Sequence, residues 1–468
     1  MERNQELRLT IETVASDGRS LARMDRHVVF VEGGAVGDVL DVRIRRVRRR
    51  FAEAEILAIV RPGPDRVAPR CPYVGSCGGC QWQHIAYQAQ LELKRQHVSD
   101  ALERIGGVEH PEVLPVVGMR DPFYYRNKME FSFGDRWMDR QELERLREEG
   151  PASGERFALG LHIPQRFDKV LDVHECWLQS AQSTAIVNVV RAFARERALS
   201  VYSTLRHEGY LRNLVIRQSR NTAELMVNLV TSEDRPALMA EFCTAVLRAV
   251  PEITTVVNNI TARKSQVAVG DEERVLHGPG FITEHLGQWR FRISANSFFQ
   301  TNTTQTELLY EEVRRSAQLA PGDTVYDLYS GTGTIAIVLS RDARSVIGIE
   351  SAPTAVVDAH RNASLNGVTN CTFLEGDLKE RLTRGGSWMT DRPDVVVMDP
   401  PRAGVHEKVL AEIERIGPRR IVYVSCNPAT QARDLQILSR SYRIERLQPF
   451  DMFPHTRHVE NIATLQKA

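Results

Sequence analysis

Two reactive side chains directly follow apolar stretches in the last third of the chain. Asp399 comes after residues 393–398, and Cys426 comes after the apolar residues 421–424 and one serine. Because open α/β sheets bind ligands at the carboxyl ends of their strands, we expect both side chains at the same rim of a sheet. At that rim Cys426 favours a nucleophile, whereas a core cysteine, the alternative, lies more often within an apolar strand.

A glycine-rich turn between two apolar stretches indicates a nucleoside cofactor. Residues 324–350 read as a strand, a glycine turn, a helix and a second strand, and Gly331 and Gly333 let the backbone turn tightly against a ligand. Glu350 follows Gly331 by 19 residues, where an acid can accept the hydroxyl protons of a ribose. Two alternatives stay open: the spacing also fits the dinucleotide fingerprint of a nicotinamide oxidoreductase, and a glycine turn can occur in a ligand-free sheet.

Seven cysteines in a chain without an apparent secretory signal indicate metal binding or catalysis rather than disulfides. Cys71, Cys77 and Cys80 lie within ten residues, and the two glycines before Cys80 allow a loop to wrap around a metal. Such thiolates suit an iron–sulfur cluster or zinc, and unliganded cysteines are the third alternative. Cys176 is the best candidate for a fourth ligand, because the cysteines at 243 and 371 fall within apolar patterns typical of a core.

The first 62 residues consist of short strand-like stretches separated by glycines, which predicts a small five-stranded barrel of the OB type. Within it, residues 43–50 contain six arginines in eight positions. This run favours phosphate binding. The alternative is a solvated edge strand whose charge blocks aggregation.

The remaining chain changes its pattern near residue 295. A helix is predicted over residues 84–105, with apolar positions 91, 98, 102 and 105 on one face. A mostly β region follows, interrupted by helical patterns at 181–197 and 236–249 and by a charged stretch, 139–150, that we expect to be an exposed insertion. Beyond 295, strands alternate with helices, which predicts a parallel sheet.

These patterns predict three domains: an OB-type β-barrel over residues 1–62, a mostly β central domain with a metal cluster over 63–290, and an α/β Rossmann-like domain with a mostly parallel sheet over 291–468. The helix at 84–106 is a candidate to pack on the last domain.

With 42% hydrophobic and 26% charged residues and a net charge of +1, the 468 residues have an ordinary globular composition. Because neither an apolar run of about 18 residues nor a signal peptide is visible, we expect a cytoplasmic protein without a membrane or an obligatory protein partner.

Five motifs stand in a fixed order: FFQTN from residue 298, DLYSGTG from 327, DPPR from 399, SCNP from 425 and FPHTRHVE from 453. In this order they resemble those of the RNA uracil-5 methyltransferases. The arginine-rich barrel resembles the TRAM domain of the family members that act on ribosomal RNA, so the resemblance covers nearly the whole chain. It implies that the Rossmann-like domain is an S-adenosylmethionine-dependent methyltransferase domain.

The resemblance implies covalent catalysis at carbon 5 of uracil. This carbon is a weak nucleophile, so Cys426 would first add to carbon 6, and Glu460 would remove the carbon-5 proton after methylation. Since a free thiol has a pKa of about 8.5, a lowered pKa or a base would be needed to form the thiolate. Glu350 would hold the ribose, Asp377 would lie beside the adenine, and Asp399 would lie near the methionine end. The full set expected at S-adenosylmethionine is Gln300, Tyr329, Gly331, Glu350, Asp377 and Asp399.

The resemblance also implies a 4Fe-4S cluster on Cys71, Cys77, Cys80 and Cys176, with a structural or RNA-positioning role. It implies a uridine of 23S ribosomal RNA as the substrate. A transfer RNA uridine-5 methyltransferase is one alternative, although such members often lack both the cluster and the barrel. A non-catalytic RNA-binding protein on a methyltransferase scaffold is the alternative of another class, and the presence of both Cys426 and Glu460 argues against it.

A target base inside RNA structure must be extruded to reach a thiol at a sheet rim. We therefore expect phosphate contacts from residues 43–50 and further contacts nearer the site from Arg126, Lys128 and Arg402. The faces of Phe298 or Phe299 could stack on a base, although a pair of phenylalanines is more often part of a core.

Overall fold

The computed structural model describes residues 1–468 except 25–26, 139–141, 143–155, 165, 167, 266–267 and 385–391. The predicted exposed insertion at 139–150 therefore lies, apart from one residue, outside the described residues. Three large sheets and one hairpin follow one another along the chain. None of the helices in the described part of the chain combines the length and the apolar composition needed to cross a membrane.

The N-terminal sheet curls into a barrel. Its strands are β1 (Glu6–Thr10), β2 (Thr13–Val14), β3 (Ser20–Met24), β4 (His27–Val31), β5 (Val39–Val47) and β6 (Phe51–Arg61), in the order β1-β5-β6-β4-β3-β2. The chain passes from β1 to β2 after two residues, where Ile11 N donates to Asp38 O at 2.9 Å and Glu12 N donates to Leu21 O at 2.9 Å. The sheet thus closes through one interrupted strand, which explains why six strands stand where five are predicted.

The central sheet begins after helix α1 (Tyr87–Arg104). Its strands are β7 (Lys128–Asp135), β8 (Phe157–His162), β9 (Val170–Asp172), β10 (Leu211–Gln218), β11 (Leu225–Thr231), β12 (Thr255–Ile260) and β13 (Glu272–His277), in the order β13-β12-β11-β10-β7-β8-β9. Helices α2 (Ala181–Glu196) and α3 (Pro236–Ala249) pack on it through Ile186, Phe193 and Phe242. Both helices were predicted within one residue of their observed ends.

The C-terminal sheet is mostly parallel, as predicted. Its strands are β16 (Thr324–Leu328), β17 (Ser345–Glu350), β18 (Cys371–Glu375), β19 (Val395–Met398), β20 (Arg420–Ser425), β21 (Tyr442–Phe450) and β22 (Glu460–Lys467). In the order β18-β17-β16-β19-β20-β22-β21, β22 alone runs opposite to the other six strands. The helices are α4 (Thr303–Ala317), α5 (Thr334–Leu339), α6 (Pro353–Leu365), α7 (Leu378–Arg384), α8 (Glu407–Ile416) and α9 (Pro428–Leu438).

Two elements from earlier in the chain pack on this sheet. The hairpin β14 (Phe281–Leu286) and β15 (Trp289–Ser294) buries Ile282 and Phe291 in the same core as Val325 and Val397. The domain boundary predicted at residue 290 falls inside this hairpin. On the other face, α1 packs through Val98 and Leu102 into the core that contains α9.

Candidate active site

Cys426 and Asp399 follow two neighbouring strands, β20 and β19, which pair in parallel. The Asn427 side chain begins α9 by accepting a hydrogen bond from Ala429 N at 3.2 Å. Its Nδ2 donates to the carbonyl of Arg402 at 3.0 Å, which ties the loops after the two strands together. The structure thus brings the predicted thiol and carboxyl to one rim of the sheet.

Glu460 begins β22, which lies beside β20. Because Ser425 pairs with Asn461 in antiparallel register, the residues one step further out, Cys426 and Glu460, face each other at the ends of the strands. Glu460 is only 6% exposed. Burial, and then the negative charge of Asp399, raise its pKa well above the usual range, which favours the neutral acid.

The Cys426 thiol is also held in its neutral form. Burial raises its pKa to about 11, and the negative charge of Glu460 adds to the rise. Arg402 acts in the opposite direction on the pKa of both groups. These surroundings do not give the thiol the lowered pKa that could have served a nucleophile, and forming the thiolate requires a base or an approaching positive charge.

His458 orients the Arg402 guanidinium at this rim. Arg402 Nη2 lies 3.3 Å from His458 Nδ1. Burial, followed by the charge of Arg402 and other cations, lowers the pKa of His458 to about 3, so the ring is neutral. A neutral ring nitrogen accepts a guanidinium N–H, and His458 therefore holds Arg402 without adding charge.

A groove of about 590 Å³ opens in front of Cys426. Its walls are barrel residues 13–17, the α1 face around His97, and the loops that carry Arg402 and His458. Since small-molecule pockets commonly range from about 300 to 1,000 Å³, the groove has the volume for a ligand of nucleotide size. The thiol is therefore approached from the side on which the barrel lies.

Glu350 closes the glycine turn with its own carboxylate. Its Oε2 accepts a hydrogen bond from Gly331 N at 3.0 Å, and its Oε1 accepts one from Ala352 N at 2.8 Å. A Cβ on Gly333, whose φ is +79°, would lie 2.7 Å from the ring of Phe373. Gly331, with φ +54°, instead faces open space. Glycine is thus required at 333 by packing and at both positions by the left-handed backbone.

Gln300 lies on a segment that passes over this turn. The Thr332 hydroxyl is 3.5 Å from the carbonyl oxygen of Phe298, and Asn127 Nδ2 donates to the carbonyl of Gln300 at 2.8 Å. Phe298 is 66% exposed whereas Phe299 is 5% exposed. Of the two predicted stacking faces, only Phe298 is accessible, and Phe299 belongs to the core.

Tyr329 and Asp377 approach the turn from β16 and β18. Tyr329 has a left-handed φ of +66°, and its N–H donates to Ile349 O at 3.1 Å. Gly376 N donates to Glu350 O at 2.9 Å, which places Asp377 next to the predicted ribose position. Asp377 is exposed and begins α7 by accepting a backbone N–H three residues further along, at 3.0 Å. The expected cofactor residues therefore gather around one turn.

Asp327 is a buried carboxyl whose place at this site the sequence did not reveal. It is 0% exposed, and neither side-chain oxygen makes a well-formed hydrogen bond to a described residue, although the N–H of Ala336 slightly opposes the rise in its pKa. Burial, with the charges of Asp399 and Glu350, raises the pKa of Asp327 to about 8, and burial raises that of Asp399 to about 7. In the sequence, the only sign of a functional role for Asp327 is its position at the start of the DLYSGTG motif.

Four cysteines surround one small cavity in the central domain. The cavity is lined by Cys71, Cys77, Cys80 and Cys176, together with Tyr73, Gln83 and Trp177. All four are free thiols, and burial is the main reason that the pKa of Cys77 rises to about 11 and that of Cys80 to about 12. Among the residues that the structure describes, no three His, Cys, Asp or Glu side chains converge as the ligands of a single metal ion would.

A mostly parallel seven-stranded sheet, with a glycine turn after β16 and acids at its carboxyl rim, defines the class of Rossmann-like methyltransferases. Residues 263–468 match the tRNA (uracil-5-)-methyltransferase family, and residues 1–57 match the TRAM domain. The chain belongs to the S-adenosylmethionine-dependent RNA uracil-5 methyltransferase family. The nicotinamide oxidoreductase that the glycine spacing also allowed is not supported.

The relatives cover nearly the whole chain. A protein named an uncharacterized RNA methyltransferase in Chlorobaculum tepidum is 46% identical over 438 residues, which are 93% of this chain and 90% of that protein. A relative of the same description in Bacteroides thetaiotaomicron is 42% identical over 457 residues, 97% of this chain and 100% of that protein. The crystal structure of Pyrococcus abyssi tRNA (uracil-54, C5)-methyltransferase in complex with S-adenosyl-L-homocysteine is 31% identical with a TM-score of 0.74, covering 98% of this chain and 100% of that one.

Proposed function

We propose that this protein methylates carbon 5 of a uridine in 23S ribosomal RNA through a covalent adduct between Cys426 and carbon 6 of the base. The observation that carries the proposal is the pairing of β20 with β22, which sets Cys426 opposite Glu460 beside the groove. A nucleophile and a proton acceptor on adjacent strands can act on neighbouring atoms of one ring.

Each residue then has one task. The Cys426 thiolate adds to carbon 6, and the electrons of the ring double bond make carbon 5 nucleophilic. S-adenosylmethionine supplies the methyl group when it is bound. Glu460 removes the proton from the methylated carbon 5, the carbon–sulfur bond breaks, and the thiolate is regenerated. Arg402, which lowers the pKa of both groups, favours their anionic forms.

The residues around the glycine turn fit S-adenosylmethionine. The positions proposed to line its pocket are Gln300, Tyr329, Gly331, Glu350, Asp377 and Asp399. Although both oxygens of Glu350 already accept backbone N–H groups, each has a second lone pair for a ribose hydroxyl. Asp327 and Asp399 are acids with raised pKa values, and a cationic cofactor would favour their ionised forms.

A 4Fe-4S cluster on Cys71, Cys77, Cys80 and Cys176 is the proposed metal group. Four free thiols around one cavity support it. A single zinc ion needs all its sulfur ligands about 2.3 Å from one point, whereas the thiolates of a cluster bind different iron atoms and lie further apart. Four cysteines around one cavity suit either group, and the resemblance favours the cluster. Its role would be structural, since methyl transfer moves no electrons through iron.

The ribosomal target rests on the combination of the barrel with the four cysteines. Transfer RNA is the second candidate, because the transfer RNA enzyme of Pyrococcus abyssi aligns over nearly all of this chain, so the barrel and the central domain alone do not distinguish the two. Mapping 5-methyluridine in both RNAs from a deletion strain distinguishes them. A loss confined to 23S RNA supports the proposal, a loss in transfer RNA assigns the second candidate, and no loss in either favours a non-catalytic RNA-binding protein.

The adduct is tested with an RNA fragment that carries 5-fluorouridine at the target. Fluorine on carbon 5 prevents the final proton removal, so a covalent complex through Cys426 should persist on a denaturing gel. Glu460→Gln should trap an adduct on ordinary RNA for the same reason. Cys426→Ala is the control and should trap neither. If the wild-type enzyme turns over the fluorinated RNA and no covalent protein–RNA complex remains on the gel, the covalent mechanism is contradicted.

A further inference from the structure

Helix α1 directs a row of polar side chains toward the protein interior. Tyr87, Gln90, Lys94 and His97 recur every three or four residues and therefore lie on one face of the helix. Gln90 and Lys94 are 0% exposed, at positions where a packed helix normally carries apolar residues. The first three contact residues 451–459, the segment between β21 and β22, which we call the catalytic turn.

Lys94 makes a fully buried ion pair with Asp451, the first residue of the catalytic turn. Its Nζ lies 2.5 Å from Asp451 Oδ1, and both side chains are 0% exposed. The same Nζ donates to Phe453 O at 3.1 Å, and the Tyr87 hydroxyl donates to Asp451 Oδ2 at 2.9 Å. Asp451 Oδ1 also accepts from Phe453 N at 3.2 Å. One ammonium group therefore binds both the side chain of Asp451 and the backbone carbonyl two residues further along the catalytic turn.

Gln90 binds the middle of the catalytic turn, at His455. Its Oε1 accepts a hydrogen bond from His455 N at 3.0 Å, and its Nε2 lies 3.2 Å from His455 Nδ1. His455 has a φ of +65°, a left-handed conformation that residues other than glycine rarely adopt. The Tyr125 hydroxyl donates to Pro454 O at 3.1 Å. The turn is therefore held from outside by α1 and by residues 81 and 82, whose N–H groups donate to His455 O at 2.8 and 2.9 Å.

An apolar contact in this place would stabilise the fold about as well as the ion pair does. Burial lowers the pKa of Lys94, and the neighbouring Asp451 carboxylate only opposes that shift. Apolar residues of similar volume stabilise a core as well as a buried ion pair does or better, and Val98 and Leu102 already attach the helix. Unlike an apolar side chain, the ammonium makes hydrogen bonds to two specific oxygen atoms of the catalytic turn, Asp451 Oδ1 and Phe453 O.

We propose, on the basis of the proposed role of Glu460, that Lys94 is a positioning residue for proton removal from carbon 5. It fixes the catalytic turn, and the turn presents His458 and Glu460 to Cys426. Glu460 is the first residue after the turn and pairs with Phe450, the last residue before it, so the turn closes directly beside the carboxyl.

Lys94→Met tests this inference, because it removes the ammonium and keeps an unbranched side chain that is only one atom shorter. We expect binding of S-adenosylhomocysteine to stay within about twofold of wild type, while release of the Cys426 adduct on ordinary RNA slows by about tenfold or more. The adduct should therefore accumulate on a denaturing gel, as with Glu460→Gln. Arg95→Met, on the exposed face of α1, is the matched control and should release product normally. Equal slowing of adduct formation and release in Lys94→Met would overturn the proposal.

A double variant separates positioning from stability. Lys94→Met combined with Asp451→Leu leaves no unpaired buried charge, so its midpoint of urea unfolding should return toward that of wild type while the adduct still accumulates. If turnover returns together with the midpoint, the ion pair only supports folding and the proposal is wrong. Failure of the proposed function looks different, because Glu460→Gln would then trap no adduct in an otherwise wild-type chain, and the inference would fall with it.

Discussion

Ser425 and Asn461 are paired across two antiparallel strands, and this pairing sets Cys426 against Glu460. The register is held by backbone hydrogen bonds, which do not depend on the side chains at the strand ends. Substitutions at Cys426 and Glu460 therefore test chemistry more directly than they test folding.

Cys426→Ala should lower methylation by about a thousandfold or more, because no other described cysteine lies at this rim. Affinity for S-adenosylmethionine should stay near wild type, since the glycine turn is built from other residues. Incorporation of labelled methyl groups and calorimetry measure the two quantities. Cys371→Ala, in β18, is the control with normal activity. Near-normal turnover by Cys426→Ala would contradict the nucleophile assignment.

Asp327→Asn should change how stability depends on pH. Folding raises the pKa of Asp327 from 3.8 to about 8, so its protonated form stabilises the protein below about pH 4 and this contribution is lost as the pH rises through 8. Between about pH 5 and pH 8 the wild-type unfolding free energy should fall by up to about 4 kcal/mol relative to the variant. Urea unfolding at both pH values measures the difference. An identical pH dependence would show that the folded carboxyl keeps an ordinary pKa.

Alanine at the two glycines should separate folding from cofactor binding. Gly331→Ala adds a methyl group in open space and should cost only backbone strain, about 1 kcal/mol, whereas Gly333→Ala must also displace Phe373. We expect S-adenosylmethionine affinity to fall in both variants and the unfolding midpoint to fall markedly only in Gly333→Ala. Equal midpoints would mean that the Phe373 contact adjusts without cost.

Protein purified without oxygen should be brown and contain iron and sulfide. Serine at any of the four cavity cysteines, Cys71, Cys77, Cys80 or Cys176, should remove the colour and lower the melting temperature. Serine at Cys243 or Cys371 should leave the visible spectrum unchanged and serves as the control. Zinc in place of iron, or colour that survives Cys176→Ser, would identify a different metal or a different fourth ligand.

The arginine run should contribute phosphate contacts mainly through its second half. Arg43 pairs with Glu6 at 2.8 Å, and two of its neighbours pair with glutamates of β6, whereas residues 48–50 are exposed at the tip of the β5–β6 hairpin. Serine at all three positions 48–50 should reduce the salt slope of RNA binding by about 2 to 3. Arg43→Ser is the control with a smaller effect. An unchanged slope would leave the run as a solvated surface.

The sequence predicted elements whose signals are local. The helices at 181 and 236 follow from their apolar spacing, and the rim positions of Cys426 and Asp399 follow from strands that end just before them. The buried face of α1 was only partly predicted: Val98 and Leu102 are buried, but Ile105 is 42% exposed.

The features that were missed depend on partners far away in the chain. A lysine in a helical pattern is expected to face solvent, and nothing near residue 94 indicates that Asp451 will pair with it. In the same way, the run at 43–50 indicates positive charge without showing that Glu6 and two other glutamates neutralise part of it.

The ion pair between Lys94 and Asp451 joins residues that are 357 positions apart. The three sheets form largely from contacts within their own segments, whereas this contact needs the closure of a very long loop, which is entropically costly and slow. The contact between Lys94 and Asp451 should therefore form late in folding, after the barrel and the central sheet. A catalytic fragment that begins after α1 would leave Asp451 without its contacts to Lys94 and Tyr87, so the catalytic turn depends on a helix that precedes most of the chain.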